Sequence, residues 1–299
     1  MITPLLLGLG AVAGFTIYLG LPVAAMKQVS ASVKGFLNAI TIGVLIFILI
    51  EVLPEAKQLT EETIVNNGLA SGYVFIIALV GGLALGIFGL VAYELGFIRI
   101  RKKRNGLVSS KISVTEQEGN APGSERNSET KRTFAVTVQK DARPEFDFDE
   151  SKRIALTIAI GIGVHNFSEG LAIGQSYVSD VVALSYLLII GFAVHNATEG
   201  FGISAPMAGF RPKATYLAAL GFIGGFPTLL GTIVGAAWPP SNLVLTFFLA
   251  IAAGALIYII SGMFYVARRQ TSNQLFMLGL FLGFLVAYGT DLYLAMLHV

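Results

Sequence analysis

Two six-residue stretches, HNFSEG at 165–170 and HNATEG at 195–200, interrupt long apolar runs with the same polar pattern. The match extends outward, since IGIGVHNFSEGLAI from Ile160 and IGFAVHNATEGFGI from Ile190 agree at eight of fourteen positions, with a period of thirty residues. Internal repeats within apolar segments are typical of integral membrane proteins that build a central site from related helices. The residues around the two stretches therefore decide the fold class.

The composition indicates that this chain is an integral membrane protein. Of its 299 residues, 55% are hydrophobic and 13% are charged, and the mean hydropathy of +0.74 lies far outside the range of soluble domains. A helix needs about 20 apolar residues to cross the hydrocarbon core. The sequence therefore predicts an all-α integral membrane protein with eight transmembrane helices, at 4–26, 34–53, 70–97, 151–176, 181–205, 213–237, 243–267 and 274–297.

One connection between the spans differs from the others. Residues 99–150 are rich in Ser, Thr, Lys and Glu and are predicted to form a flexible loop, with a short strand or helix at FAVTV (134–138). The other joints are shorter and polar or rich in turn residues, and the longest is PEAKQLTEETIVNNG at 54–68. The predicted organisation is three helices in 1–98, the loop in 99–150, two helices with the repeated motif in 151–205 and three helices in 206–299.

The distribution of basic residues predicts the orientation of the spans. With eight spans, nineteen of the twenty Lys and Arg residues fall on one side of the membrane, and only Lys57 falls on the other. Basic residues concentrate on the cytoplasmic side of membrane proteins. We therefore expect a multi-pass protein of the plasma membrane, with the long loop in the cytoplasm and both termini outside. No basic segment precedes the first span, so this span is expected to be retained rather than removed as a signal peptide.

The repeated motifs place four potential metal ligands inside the membrane. His165 and Glu169 are four residues apart, as are His195 and Glu199, so each pair projects from one face of its helix. Consecutive spans are antiparallel, and the two faces are expected to meet near the bilayer midplane, where an unpaired charged Glu costs about 2.5 to 3.5 kcal/mol. A bound cation offsets that cost, and pairing among the polar side chains is the structural alternative. The chain has no Cys, and imidazole and carboxylate groups suit zinc, iron and manganese.

These residues resemble the ZIP family of metal transporters, named for zinc- and iron-regulated transport proteins. The resemblance is carried by HNFSEGLAIG in span 4, HNATEG in span 5, the long loop between spans 3 and 4, LIFILIEVLPEA in span 2 and LFLGFLVAYGTDLYLA in span 8. It implies that His165, Glu169, His195 and Glu199 bind a divalent metal midway across the membrane. It also implies that the paired-motif helices move against a scaffold of the other helices during transport.

Two asparagines bear on the number of metals. Asn166 and Asn196 follow the motif histidines and are candidates for weak oxygen ligands or for donors that hold the carboxylates. By the resemblance, they occupy positions that can contact a second metal. However, Phe226 stands in span 6 where the family often has Glu before Pro, and Ser261 stands near an expected carboxylate of span 7. We therefore expect one metal per chain.

The residue before each motif glutamate also departs from the family pattern. Family motifs commonly carry Pro there, whereas this chain has Ser168 and Thr198. Any kink at these positions is therefore expected to come from glycines or from hydroxyl bonding to the preceding helical turn.

Further polar and small residues have two interpretations each. Glu51 and Glu94 lie near the ends of spans 2 and 3 and are either gate residues or charges solvated at helix ends. Gly82 and Gly86 are four residues apart and predict a close packing face, within the chain or between the subunits of a homodimer.

The predicted function is the import of a divalent metal into the cytoplasm by alternating access. Zinc is the first choice, and iron, manganese and cadmium are the alternatives. The metal is the transported substrate, and no cofactor or nucleic-acid partner is predicted. No GxxxxGKS or GxxxxGKT pattern of an ATP site is present. The alternative from another class is a membrane-embedded, metal-dependent hydrolase that uses the same His and Glu cluster to activate water.

Overall fold

A computed structural model describes residues 2–26, 29–104, 148–178, 182–238 and 241–297. All regular secondary structure within these ranges is helical. The helices are α1 (Pro4–Phe15), α2 (Ala31–Arg104), α3 (Phe148–Val178), α4 (Val182–Ser204), α5 (Ala214–Ala237), α6 (Asn242–Gln270) and α7 (Asn273–Leu297). Short 3-10 turns continue α1 through Thr16–Leu19 and Leu21–Ala25, and continue α4 through Ala205–Met207.

Helix α2 consists of two helical arms that meet at Gly68. This residue has φ 82° and ψ 171°, a conformation that only glycine adopts readily. The polar joint predicted between spans 2 and 3 is therefore helical up to Gly68, so the helix continues past the predicted end of span 2 at residue 53. Its Glu, Gln and Lys residues are good helix formers, and Lys57 Nζ lies 3.2 Å from Glu61 Oε1 one turn later.

Among the described residues, six helices are long and apolar enough to cross a membrane. They are Pro4–Ala25, Ala31–Gly96, Phe148–Val178, Ala214–Ala237, Asn242–Gln270 and Asn273–Tyr293. The two arms of α2 count as one of the six, and α4 is not among them. The count of eight spans and the orientation of the termini therefore stay predictions, although the helix bounds lie close to the predicted spans.

The predicted loop is shorter than the range 99–150, because both of its ends are helical. Helix α2 continues through Arg104, and α3 begins at Phe148 with Asp149 and Glu150 in its first turn. Acidic residues stabilise the N-terminal turn of a helix through its dipole. The remaining residues, 105–147, include FAVTV and lie outside the described part of the chain.

Glycines let α3 and α4 approach the neighbouring backbones. A Cβ on Gly170 or Gly174 of α3 would collide with the carbonyl oxygens of Thr228 and Thr232 on α5. A Cβ on Gly200 of α4 would collide with the carbonyl oxygen of Ile17, which follows α1. Close backbone packing of this kind is a main source of helix association in membranes. The helices with the two motifs are thereby held against α5 and the end of α1.

Gly82 and Gly86 pack within the chain. A Cβ on Gly82 would lie 2.7 Å from the carbonyl oxygen of Phe247, and one on Gly86 would collide with the carbonyl oxygen of Ile251, both on α6. The face of span 3 formed by these two glycines is thus an intramolecular contact between α2 and α6. It gives no support to the homodimer, which stays a prediction.

Candidate metal centre

The structure brings the two motif copies together around one carboxylate oxygen. Within α3, His165 Nε2 lies 2.8 Å from Glu169 Oε1, because the two residues are one helical turn apart. From α4, His195 Nε2 forms a hydrogen bond of 2.5 Å with the same oxygen. Two imidazole nitrogens from different helices therefore converge on Glu169.

The second motif glutamate adds a carboxylate without a hydrogen-bond partner. Glu199 is fully buried, and neither Oε1 nor Oε2 has a donor at hydrogen-bonding distance, although the Asn166 amide lies close enough to stabilise its charge. One ligand atom each from His165, His195 and Glu199 can be chosen so that all three lie within 4.8 Å of one another. This spacing suits a single cation between three side chains.

Burial distinguishes this cluster from ordinary polar packing. His165 and Glu199 are fully buried, Glu169 is 5% exposed, and the side chain of His195 is 16% exposed. A buried carboxylate without a hydrogen bond or counter-charge costs several kcal/mol by general estimates. Direct contact with the imidazoles accounts for Glu169, whereas Glu199 has both imidazoles and the Asn166 amide nearby but makes no hydrogen bond to them. The donor set therefore fits a divalent cation better than the structural alternative does.

The two asparagines attach the motif helices to their neighbours. Asn166 Nδ2 donates to the carbonyl oxygen of Gly224 on α5 at 2.9 Å, and Asn196 Nδ2 donates to that of Ala13 on α1, also at 2.9 Å. Both side chains are fully or almost fully buried, and both Oδ1 atoms have no hydrogen-bond partner. The amides therefore fix the helices through nitrogen and leave one buried oxygen each beside the motif.

Ser168 and Thr198 bond to the preceding turn, which is one of the two causes that the sequence left open for a kink at these positions. Ser168 Oγ donates to the carbonyl oxygen of His165, and Thr198 Oγ1 donates to that of His195, both at 2.7 Å. The two copies thus have the same local hydroxyl bond at the same position. In each copy the acceptor is the backbone carbonyl oxygen of the motif histidine.

The positions where the family often has further carboxylates have no acidic side chain and make other local contacts. Phe226 stacks on the exposed ring of Phe222, with ring centroids 4.6 Å apart. Ser261 is exposed and donates to the carbonyl oxygen of Tyr258 at 2.7 Å. Neither residue supplies a carboxylate oxygen for a second metal.

The two candidate gate residues have different surroundings. Glu51 is exposed on α2 and interacts electrostatically with His195 and Glu169 of the cluster. Glu94 is an ion-pair partner of Arg153, with Nη1 3.2 Å from Oε1, and it accepts a hydrogen bond from Tyr258. It therefore joins α2 to α3 and α6, and the two roles predicted for it stay predictions.

Sequence reasoning missed two kinds of neighbour. The ring of Phe192, three residues before His195, lies 5.3 Å from the imidazole between centroids, and this contact could have been found from the helical spacing. The carbonyl oxygens of Ala13 and Gly224 carry no side-chain signal, so their hydrogen bonds to the asparagines could not be found in this way.

One comparison with known proteins identifies a family. A family model described as ZIP zinc transporter matches residues 100–289, which include both motifs and helices α3 to α6. No curated protein matches the chain.

Proposed function

Since the chain belongs to the ZIP zinc transporter family, we propose that it imports zinc into the cytoplasm through the cluster formed by His165, Glu169, His195 and Glu199. Membership makes the protein a divalent metal transporter of the membrane and not an enzyme. The alternative of a metal-dependent hydrolase is therefore not retained. The identity of the metal, the direction of transport and the ligand set belong to the proposal.

The observation that carries the proposal is the state of Glu199. This carboxylate is fully buried without a hydrogen bond, within 4.8 Å of two imidazole nitrogens that can also bind a metal. A divalent cation placed there supplies the missing counter-charge. Glu169 Oε1 would then exchange its contacts with the imidazoles for the cation. Mixed imidazole and carboxylate ligands favour zinc and leave iron, manganese and cadmium as competitors.

A single metal in the site is supported by the role of the asparagines. Asn166 and Asn196 hold backbone carbonyl groups through their amide nitrogens, so only two neutral oxygens remain for a second cation. Neutral amide oxygens without an additional carboxylate bind divalent cations weakly. The bond that each amide makes to a neighbouring helix is a sufficient reason for its presence.

For transport we propose alternating access, driven by the ion gradient and the membrane potential. The potential favours cation entry by about 2.3 kcal/mol per charge for each 100 mV. Helices α3 and α4 move as one body with α1 and α5, to which the close glycine contacts and the asparagine bonds attach them. They move against α2, α6 and α7, and the cluster is thereby exposed to each side in turn.

The test is zinc uptake into liposomes that contain the purified protein and a fluorescent zinc indicator. We expect Glu199→Gln to lower the initial rate about 100-fold, because the amide keeps the shape of the side chain and removes its charge. The matched control is Glu61→Gln, an exposed carboxylate that pairs with Lys57. Uptake by the Glu199→Gln variant at the rate of the unmodified protein contradicts the proposed site. A potential that is negative inside is expected to accelerate zinc entry.

A further inference from the structure

An ion pair outside the metal centre connects the two groups of helices that the proposed transport step moves apart. Arg153 Nη1 on α3 lies 3.2 Å from Glu94 Oε1 on α2, and Glu94 Oε2 accepts a hydrogen bond from Tyr258 on α6. In the proposed step, the moving group (α1, α3, α4 and α5) shifts against the static group (α2, α6 and α7). The pair of Glu94 and Arg153 crosses from one group to the other and must therefore break.

Each partner of this pair is fixed to its own group of helices. Tyr258 belongs to α6, which packs closely against two glycines of α2, so its bond to Glu94 lies within the static group. In the moving group, Tyr216 of α5 donates to the carbonyl oxygen of Lys152 at 3.0 Å, and Lys152 directly precedes Arg153. The carboxylate and the guanidinium group are thus held from opposite sides of the boundary.

A buried apolar contact lies between the ion pair and the metal centre. Gly161 of α3 follows Arg153 by about two helical turns and precedes His165 by about one. A Cβ on Gly161 would collide with Ile259 Cδ1 of α6 and would lie 3.2 Å from Leu90 Cδ1 of α2. Ile259 and Leu90 are 3% and 6% exposed. This contact excludes water from the boundary between α3 and the static group.

The contacts on the two sides of α3 differ in kind. Toward α5, the glycines of α3 bring backbone against backbone, which fixes one relative position. Toward α6 and α2, the neighbours of Gly161 are the ends of flexible apolar side chains. Apolar contacts have no preferred direction, whereas a hydrogen bond between charged groups has a defined geometry. The ion pair is therefore suited to hold α3 in one position against the static group.

We propose that Glu94, Arg153 and Tyr258 form a latch that keeps the path from the metal centre to the cytoplasm closed in this conformation. The latch rests on the proposed function, because it requires the two groups of helices to move. Arg153 lies near the start of α3, which is the cytoplasmic end in the predicted orientation. Tyr258 is a positioning residue that directs the Glu94 carboxylate toward Arg153. When the pair breaks, α3 slides and Ile259 becomes accessible from the cytoplasm.

Labelling of a single introduced thiol tests the latch, since the chain has no cysteine of its own. Ile259→Cys places the thiol at the buried contact with Gly161, and its rate of reaction with a water-soluble maleimide is measured in the purified, zinc-free protein. We expect Glu94→Gln to raise this rate about fivefold and Tyr258→Phe to raise it less. Glu94→Arg combined with Arg153→Glu exchanges the two charges and is expected to restore the rate to within about twofold.

Ser204→Cys is the matched control reporter. Ser204 is fully buried and donates to the carbonyl oxygen of Gly20 in the 3-10 turns that continue α1, so both residues belong to the moving group. We expect its labelling rate to stay the same in the Glu94→Gln protein. An equal increase at this position would indicate general loosening of the structure and would overturn the latch.

The latch would also be overturned by an unchanged labelling rate of Ile259→Cys in the Glu94→Gln protein, or by exchanged charges that do not restore the rate. If Glu94→Gln does not fold, Tyr258→Phe decides in the same way. Zinc uptake by the Ile259→Cys protein is measured in parallel. Uptake with unchanged labelling contradicts the latch and leaves the proposed function intact. Absence of uptake in every protein contradicts the proposed function, whereas the labelling rates still show whether the ion pair holds the two groups together.

Discussion

The two motif copies are attached to the protein in the same way but differ in the partners of their carboxylates. In both, an asparagine amide donates to a backbone carbonyl of a neighbouring helix at 2.9 Å, and a hydroxyl donates to the histidine carbonyl at 2.7 Å. Glu169, however, contacts both imidazoles through one oxygen, whereas Glu199 has no hydrogen-bond partner. The scaffold is therefore symmetric and the charged groups are not.

This difference indicates one shared site rather than two equivalent ones. If each copy bound its own cation, each histidine would pair with the glutamate of its own helix. Instead, His195 crosses to Glu169 of the other helix. The free oxygens of Glu199 then complete a set to which both helices contribute. We therefore expect substitutions of the glycines, asparagines and hydroxyl residues to have equal effects on stability in the two copies. Substitutions of the two glutamates are expected to have different effects.

The largest expected effect is on the close contacts of the scaffold. Gly170→Ala and Gly200→Ala each place a methyl group against a rigid backbone carbonyl, of Thr228 and Ile17 respectively. We expect each variant to lose about 3 kcal/mol of stability, measured as the midpoint of thermal unfolding in detergent. The control is Gly289→Ala, where an added Cβ meets nothing within 4 Å. A neutral effect in only one of the two copies would break the symmetry of the scaffold.

The next largest effect on stability is expected at the two motif glutamates, where the two substitutions have opposite signs. In the metal-free protein, Glu169→Gln removes the charge that both imidazoles contact, and we expect a loss of about 2 kcal/mol. Glu199→Gln removes a buried charge that has no hydrogen-bond partner, so we expect a gain of about 1 kcal/mol. Thermal unfolding with a metal chelator present measures both. Shifts of the same sign and size are incompatible with the asymmetry.

A smaller and equal effect is expected for the asparagines. Asn166→Ala and Asn196→Ala each leave a backbone carbonyl, of Gly224 or Ala13, without its amide donor. The expected loss is about 1 to 2 kcal/mol of stability in each case. The number of zinc ions bound per chain is expected to remain the same, and a lower number would identify an asparagine as a metal ligand.

The smallest effect is expected at the hydroxyl groups. Ser168→Ala and Thr198→Val remove a hydrogen bond to a carbonyl that lies within a helix and can also accept a backbone N–H group. Each variant is expected to lose less than about 1 kcal/mol, and Thr198→Ser, which keeps the hydroxyl, is the control. A loss of zinc uptake comparable to that of Glu199→Gln would show that the hydroxyl bonds have a role in the transport step.

Much of this arrangement could be predicted from the sequence, because apolar length and a repeat with helical spacing are direct signals. The convergence of His165, Glu169, His195 and Glu199 followed from the spacing of four and from the antiparallel order of neighbouring spans. The joint at 54–68 was predicted to be polar, but its helical conformation was not predicted, because polar helix formers between two apolar spans also occur in loops. Only the backbone conformation of Gly68 identifies it as the break between the arms.

The asymmetry of the carboxylates could not be predicted, since the two motifs have the same residues at the relevant positions. It depends on the relative displacement of α3 and α4, which no local pattern encodes. The hydrogen bonds of Asn166 and Asn196 could not be predicted either, because their acceptors are carbonyl oxygens on helices distant in sequence. The sequence predicted that these residues are weak ligands or donors to the carboxylates; the structure adds the bonds to neighbouring backbones, and Asn166 also interacts with the Glu199 carboxylate.

Equilibrium zinc binding to the purified protein decides whether both motif copies share one metal site. We expect one zinc ion per chain and a loss of affinity of about 100-fold in both Glu169→Gln and Glu199→Gln. Two zinc ions per chain, or unchanged binding in either variant, would contradict the shared site.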